Sequence, residues 1–138
     1  MLVLHYTGMQ TGEEALERLC DWDVPVSAHY LIEEDGRVYH LVDESARAWH
    51  AGVSYWAGDR DVNSRSIGIE LVNPGHEWGL KNFPRQQMDS LLNLAMDIRK
   101  RHSIPDRFIV GHSDVAPERK EDPGERFDWR WLANHGIG

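Results

Sequence analysis

His112 is followed by Lys120 eight residues on and by Asp122 ten residues on, and Pro117, Pro123 and Gly124 bend the chain between and beyond them. An imidazole, an ammonium and a carboxylate on one short loop offer two kinds of metal ligand and one fixed cation. Together they suggest a hydrolytic metal centre that carries its own oxyanion stabiliser. His5, at the end of the apolar run that starts at Leu2, offers a third ligand, just as His112 ends the run Phe108-Ile-Val-Gly. In open α/β sheets ligands gather beyond the carboxyl ends of strands. If these two strands are parallel neighbours, both imidazoles enter one crevice and Asp122 swings in from the loop after His112. Two histidines and one carboxylate, with a fourth position left to water, form a catalytic zinc arrangement. Spacing alone leaves another reading open, because histidines at strand ends often do no more than hydrogen-bond in a core.

Glu70 lies in Ser66-Ile-Gly-Ile-Glu-Leu-Val. With a period of two, Ile67, Ile69 and Leu71 share one face of this strand, and Ser66, Gly68 and Glu70 share the other. A carboxylate in an apolar strand is costly without a partner or a task. Beside a zinc-bound water it would serve as the general base; otherwise it hydrogen-bonds a neighbouring loop. Lys120 stands two residues before Asp122, so its role as oxyanion stabiliser depends on Asp122 being a ligand.

The elements that would position these groups can be read from pattern. Leu2 to Tyr6 reads as a buried strand, and Thr11 to Asp21 as a helix capped by Thr11 with Glu14 three residues on. Ser27 to Glu33 and Arg37 to Val42 form a hairpin about Asp35-Gly36. Ser45 to Arg65 has no clear period and reads as a long loop of the functional kind. Ser66 to Val72 is a strand, Pro84 to His102 the clearest helix, Phe108 to Gly111 another buried strand, and Phe127 to Asn134 a terminal helix. This alternation predicts an α/β fold, a central mixed β-sheet flanked by helices, in one domain over residues 1–138.

The chain has 138 residues, 41% apolar, enough for one core without disulfides. Its net charge of -8 argues against a nucleic acid or an anionic membrane as partner. The single cysteine, Cys20, reads as a small buried residue near a helix end. No apolar run approaches a membrane span and no export signal is visible, so a cytoplasmic, monomeric protein is expected.

Several stretches carry a family resemblance. They are Leu-His-Tyr-Thr at 4–7, Val-Ser-Ala-His-Tyr-Leu-Ile at 26–32, Arg-Ala-Trp-His-Ala-Gly at 47–52, Asn63, Ser-Ile-Gly-Ile-Glu-Leu at 66–71, and Gly-His-Ser-Asp-Val-Ala-Pro-Glu-Arg-Lys-Glu-Asp-Pro-Gly at 111–124. In this order the chain resembles the amidase-2 family of zinc-dependent N-acetylmuramoyl-L-alanine amidases, related to the peptidoglycan recognition proteins and to phage amidase-type lysozymes. Within it, the bacterial branch acting on muropeptides and 1,6-anhydro-muropeptides is the most similar. The resemblance implies that His5, His112 and Asp122 bind Zn2+ and that Glu70 and Lys120 are catalytic. It implies hydrolysis of the amide between N-acetylmuramic (or 1,6-anhydro-N-acetylmuramic) acid and L-alanine of the stem peptide. The partner is then peptidoglycan or its muropeptide fragments. The recycling enzymes of this branch carry an arginine nine residues before the glutamate, to hold an anionic substrate group; here Asp61 stands there, with Arg60 beside it as the replacement after a small loop shift.

Other positions have two readings each. His50 either lines the substrate groove and donates to the peptide, or orders its loop. Trp49, Tyr55 and Trp56 stack on sugars or form the core of the long loop. His29 reads as a hydrogen-bonded core histidine, Arg119 as a contact to a peptide carboxylate or a surface ion-pair residue, and His40, His76, His102 and His135 carry no role. Arg60, Asn63, Trp49 and His50 are therefore the candidate substrate contacts. Two rival functions remain: a non-catalytic peptidoglycan-binding recognition module, and a structural domain whose zinc is closed by a fourth ligand such as His29.

Overall fold

The computed structural model describes all 138 residues. Five strands form one sheet in the order β3-β2-β4-β1-β5, with β1 Leu2–Tyr6, β2 Tyr30–Ile32, β3 Val38–His40, β4 Ile67–Leu71 and β5 Ile109–Gly111. β1 runs parallel to both β4 and β5, β2 runs parallel to β4, and only β3 is antiparallel. The sheet is thus mixed, as the alternation of elements predicts.

Period-two burial divides the sheet into two different faces. Leu2, Leu4, Ile67, Ile69, Leu71 and Ile109 join the main core. The long helix α3, Arg85–Arg101, lays Met88, Leu91, Ala95 and Ile98 into the same cluster, three or four residues apart as an amphipathic helix requires. Phe127 and Leu132 complete it, the latter from the terminal helix. The opposite face carries a smaller cluster of Val3, Ala51, Val62, Val110 and Val115. There the loop from 45 to 65, with its 3₁₀ turn Val62–Arg65, contributes Ala51 and Val62 in place of a long helix. His5 and Glu70 project on this second face.

Helix α1 spans Gly12–Leu19, and the Glu14 amide donates to Thr11 Oγ1 at 3.1 Å, which makes Thr11 the N-cap. The short helix α2 is Gly75–Trp78 and α4 is His112–Val115; the terminal helix α5, Trp129–Asn134, is capped by Asp128, which accepts from the Trp131 amide. The hairpin strands are shorter than the sequence predicts. The chain before Tyr30 is captured by the long loop: the Ser27 amide donates to the Trp49 carbonyl at 3.0 Å, and the Trp49 amide to Ser27 Oγ at 2.8 Å. Cys20 is exposed rather than buried, because it caps the end of α1 at the surface. No helix is long and apolar enough to cross a membrane.

Candidate metal centre

The parallel register brings the chemistry together. His5 on β1 is the register partner of Glu70 on β4, and Leu4 is the partner of Gly111, so His112 follows directly at the same end of the sheet. The Asp122 carbonyl accepts from the Ser113 amide at 2.9 Å, which folds the loop back over the strand ends. His5 Nδ1 lies 2.9 Å from His112 Nδ1 and 3.1 Å from Asp122 Oδ2, and His112 Nδ1 lies 3.2 Å from Asp122 Oδ2. All three residues are buried. A tetrahedral zinc with bonds of about 2.0–2.2 Å separates neighbouring ligand atoms by about 3.3 Å, so this triangle needs only a small expansion to accept one.

The donor set points the same way. His112 Nε2 is 2.8 Å from the Ala51 carbonyl, which can only accept, so Nε2 carries the proton and Nδ1 presents a lone pair. A lone pair and a carboxylate oxygen in contact repel each other unless a proton or a cation lies between them. Burial pushes the Asp122 carboxyl up, but the His112 and His5 imidazoles beside it, whenever a proton sits on the Nδ1 that faces it, outweigh that and hold it well below its ordinary value. Burial lowers His5 in turn. A divalent ion bound here displaces a proton from the cluster.

Glu70 is buried and its Oε2 has no hydrogen-bond partner. Burial first, then the Asp122 charge, pushes its carboxyl well above the ordinary range, while Lys120 pulls the other way. An orphaned carboxylate oxygen beside a ligand cluster is a group held for a task, since fold stability alone would remove it. Glu70, Lys120 and the three candidate ligands line one cavity of about 570 Å³, together with Trp49, His50, Asn63, Arg18 and Arg119.

The candidate substrate contacts divide. Trp49 is half-exposed on this cavity, with the Arg47 guanidinium 4.1 Å from its ring centroid. His50 is buried, and both its ring nitrogens are engaged within the protein, 3.0 Å from His5 Nε2 and 3.0 Å from Ser66 Oγ; no ring donor is left for a peptide. Burial, reinforced by the neighbouring histidines, lowers its pKa well below the ordinary value, so it is neutral. Asn63 Oδ1 accepts from the amides of His50 and Ala51 at 3.1 and 2.8 Å, which makes it a clamp on that dipeptide. Arg60 does not reach the metal cavity. It lies 5.8 Å from the Tyr55 ring centroid and lines a separate, more apolar cavity of about 640 Å³ with Tyr55 and Trp56. The loop turns outward there, through paired bonds between Trp56 and Asp59, and so aims Arg60 and both aromatics away from the ligands. Asp61 is tied to Arg47 at 2.8 Å.

Three further residues escape a reading by spacing. Arg119 donates from Nη2 to the carbonyls of Ala51 and Val53 at 2.9 and 2.8 Å, rather than forming a surface ion pair. His76 lies 2.8 Å from the Tyr6 hydroxyl, 3.2 Å from Glu121 and 2.8 Å from Glu125, tying the loop around Asp122 to α2. Ser66 stands behind His50 and links it to the Val62 carbonyl. Only His50 gave a local signal, a histidine in a Gly- and Trp-rich loop; the other contacts depend on the folded path. His29 sits in the core, donating to the Ala46 carbonyl and accepting from the Gly68 amide.

Two histidines beyond the carboxyl ends of parallel strands and an aspartate from the following loop, open to a cavity with a buried glutamate, form a candidate metal site on a mixed α/β sheet. The chain belongs to the amidase-2 family, described as N-acetylmuramoyl-L-alanine amidase, which matches residues 1–125. It is 41% identical to N-acetylmuramoyl-L-alanine amidase AmiD of Escherichia coli, over all of this chain and 53% of that protein. It is 43% identical to 1,6-anhydro-N-acetylmuramyl-L-alanine amidase AmpD of Haemophilus influenzae, over 82% of this chain and 60% of that one. The crystallised complex of E. coli AmiD with anhydro-N-acetylmuramic acid-L-Ala-D-γ-Glu-L-Lys superposes with a TM-score of 0.92 at 40% identity, covering 100% of this chain and 57% of that one. The chain therefore spans little more than half the length of these relatives.

Proposed function

We propose that this chain is a zinc-dependent N-acetylmuramoyl-L-alanine amidase that hydrolyses the amide between N-acetylmuramic, or 1,6-anhydro-N-acetylmuramic, acid and L-alanine in muropeptides. The observation that carries this reading is the buried His5–His112–Asp122 triangle on the same cavity as an unpartnered Glu70. The names of AmiD and AmpD, and the anhydro-muropeptide bound to AmiD, supply the substrate class.

Zinc held by His5, His112 and Asp122 would supply Lewis acidity and lower the pKa of a water. Glu70 accepts a proton from the attacking water and passes it to the departing L-alanine amine. Its buried, unpaired oxygen is available for this because no protein donor competes for it. Lys120 places an ammonium on the same cavity, where it offsets the negative charge that develops on the carbonyl oxygen. Trp49 offers an aromatic face to the sugar or peptide, while Asn63 and His50 hold the cavity wall.

The test is mass spectrometry of isolated anhydro-muropeptides and of intact sacculi digested side by side, with and without chelator. Release of free stem peptide, abolished by chelator and restored by zinc, is expected. Unaltered muropeptides at high enzyme concentration with zinc present would overturn the amidase reading.

A further inference from the structure

We propose that His50 is a positioning residue that fixes the tautomer of His5, through a hydrogen-bonded chain anchored on Ser66 and the Val62 carbonyl. The inference rests on the zinc-site reading above. Its direction follows from counting protons. The Val62 carbonyl can only accept, so the Ser66 hydroxyl, 2.6 Å away, donates to it. That uses the single proton of Ser66, whose oxygen must then accept from His50 Nε2 at 3.0 Å. A neutral His50 with its proton on Nε2 has a lone pair on Nδ1. This nitrogen lies 3.0 Å from His5 Nε2, so His5 Nε2 is the donor and His5 Nδ1 is left as a lone pair. Nδ1 is the atom that faces His112 Nδ1 and Asp122 Oδ2. The chain thus delivers a metal-ready nitrogen, and reversing any one bond would leave a proton pointing into the ligand triangle.

Both candidate histidine ligands are governed by one dipeptide. His50 Nδ1 accepts from His5, and the Ala51 carbonyl accepts from His112 Nε2. Asn63 grips both amides of this dipeptide, and Arg119 donates to the Ala51 carbonyl. The ring of His50 is seated against Gly68, where a Cβ would lie 2.4 Å from His50 Cγ, so the strand itself leaves room for the imidazole. Acceptors behind metal-binding imidazoles raise ligand basicity and fix ring orientation, and losing one costs about 10–100-fold in metal affinity.

The experiment measures zinc dissociation constants by competition with a chromophoric chelator, on the whole chain and without substrate. Wild type, His50→Ala, His50→Asn and Ser66→Ala are compared. Asn places Oδ1 near the position of His50 Nδ1 and restores an acceptor. The expected result is zinc binding about 10–100-fold weaker in His50→Ala, recovery to within about threefold in His50→Asn, and an intermediate loss in Ser66→Ala. Imidazole nitrogen shifts of the zinc-loaded wild type should show His5 and His50 both protonated on Nε2. With zinc saturating, KM should hold in His50→Asn. Wild-type zinc affinity in His50→Ala, or a proton on His50 Nδ1, would overturn the proposal. Failure of wild type itself to bind zinc would instead overturn the site reading on which it rests.

Discussion

Replacing Glu70 with methionine should make this protein more stable and nearly inactive, two effects that a structural carboxylate would not give together. Methionine matches glutamate in length and removes the orphaned Oε2. A buried polar atom without a partner costs about 1–3 kcal/mol, and Glu70 sits in a strand where every residue is buried. Lys120, the nearby cation, is exposed at the cavity rim, so losing its attraction to Glu70 subtracts well under about 1 kcal/mol. The expected gain is therefore about 1–2 kcal/mol. For a domain of this size that raises Tm by about 3–7 °C. A general base contributes about 10²–10⁴-fold, so kcat should fall by that factor, about 3–5 kcal/mol in activation free energy. Thermal unfolding is measured with chelator present, so that only the protein's own bonds are compared, and turnover is measured on an anhydro-muropeptide with zinc. A Tm that drops by several degrees would show that Glu70 has a structural partner. Turnover within tenfold of wild type would remove it from catalysis.

His112→Ala and Asp122→Ala should each lose zinc and turnover together, checked by metal analysis after dialysis; a full zinc complement in both would break the triangle. Lys120→Met should keep zinc and lower kcat by about 10²–10³-fold, read by steady-state kinetics, since it lines the cavity without touching the ligands. Glu44 gives a pH-dependent prediction. Its hydrogen bonds to Arg101, with help from Tyr30 and His102, hold its carboxyl at about 2 against an ordinary 4.5. A lowered carboxylate pKa stabilises the fold above the unfolded value and is lost as pH falls through the folded one. Glu44→Gln should therefore cost about 1–2 kcal/mol at pH 7, after discounting for the half-exposed Arg101, with the difference shrinking between about pH 4.5 and 2 in denaturant titrations.

The parts of the site that were legible are those governed by strand geometry. His5 and His112 each end an apolar run, Glu70 interrupts one on the face away from the main core, and the parallel register places the three side by side. Asp122 followed because a ten-residue loop that starts at a strand end has little choice but to return to it. Residues on the long loop were legible only as a group. Trp49 reaches the cavity and Arg60 does not, because the loop's path is decided by a clamp within it, Asn63, and by bonds to distant partners: Ser27, Val115 and Arg119. The amide of Tyr55, for example, donates to the Val115 carbonyl at 2.7 Å, which turns Tyr55 and its neighbours to the far side of the loop that ends in Asp122. His76 was invisible for the same reason, since its three partners are 45 or more residues away along the chain.

Arg60 lies off the cavity that holds the ligand triangle, so the positive charge there comes from other residues. Asp61, nine residues before Glu70, is paired with Arg47, and that pair fastens the loop edge beside Trp49. The cations on the metal cavity are instead Arg18, Arg119 and Lys120, from α1 and from the loop that also carries Asp122. Arg119 spends its guanidinium on the Ala51 and Val53 carbonyls, so it contributes a positive field more than free donors. Arg18 and Lys120 remain as the other cations that line the cavity. The loop from His112 to Asp122 thus carries two of the three candidate ligands and two of the three cations on the cavity. Positive charge is thus concentrated locally on a chain whose net charge is -8.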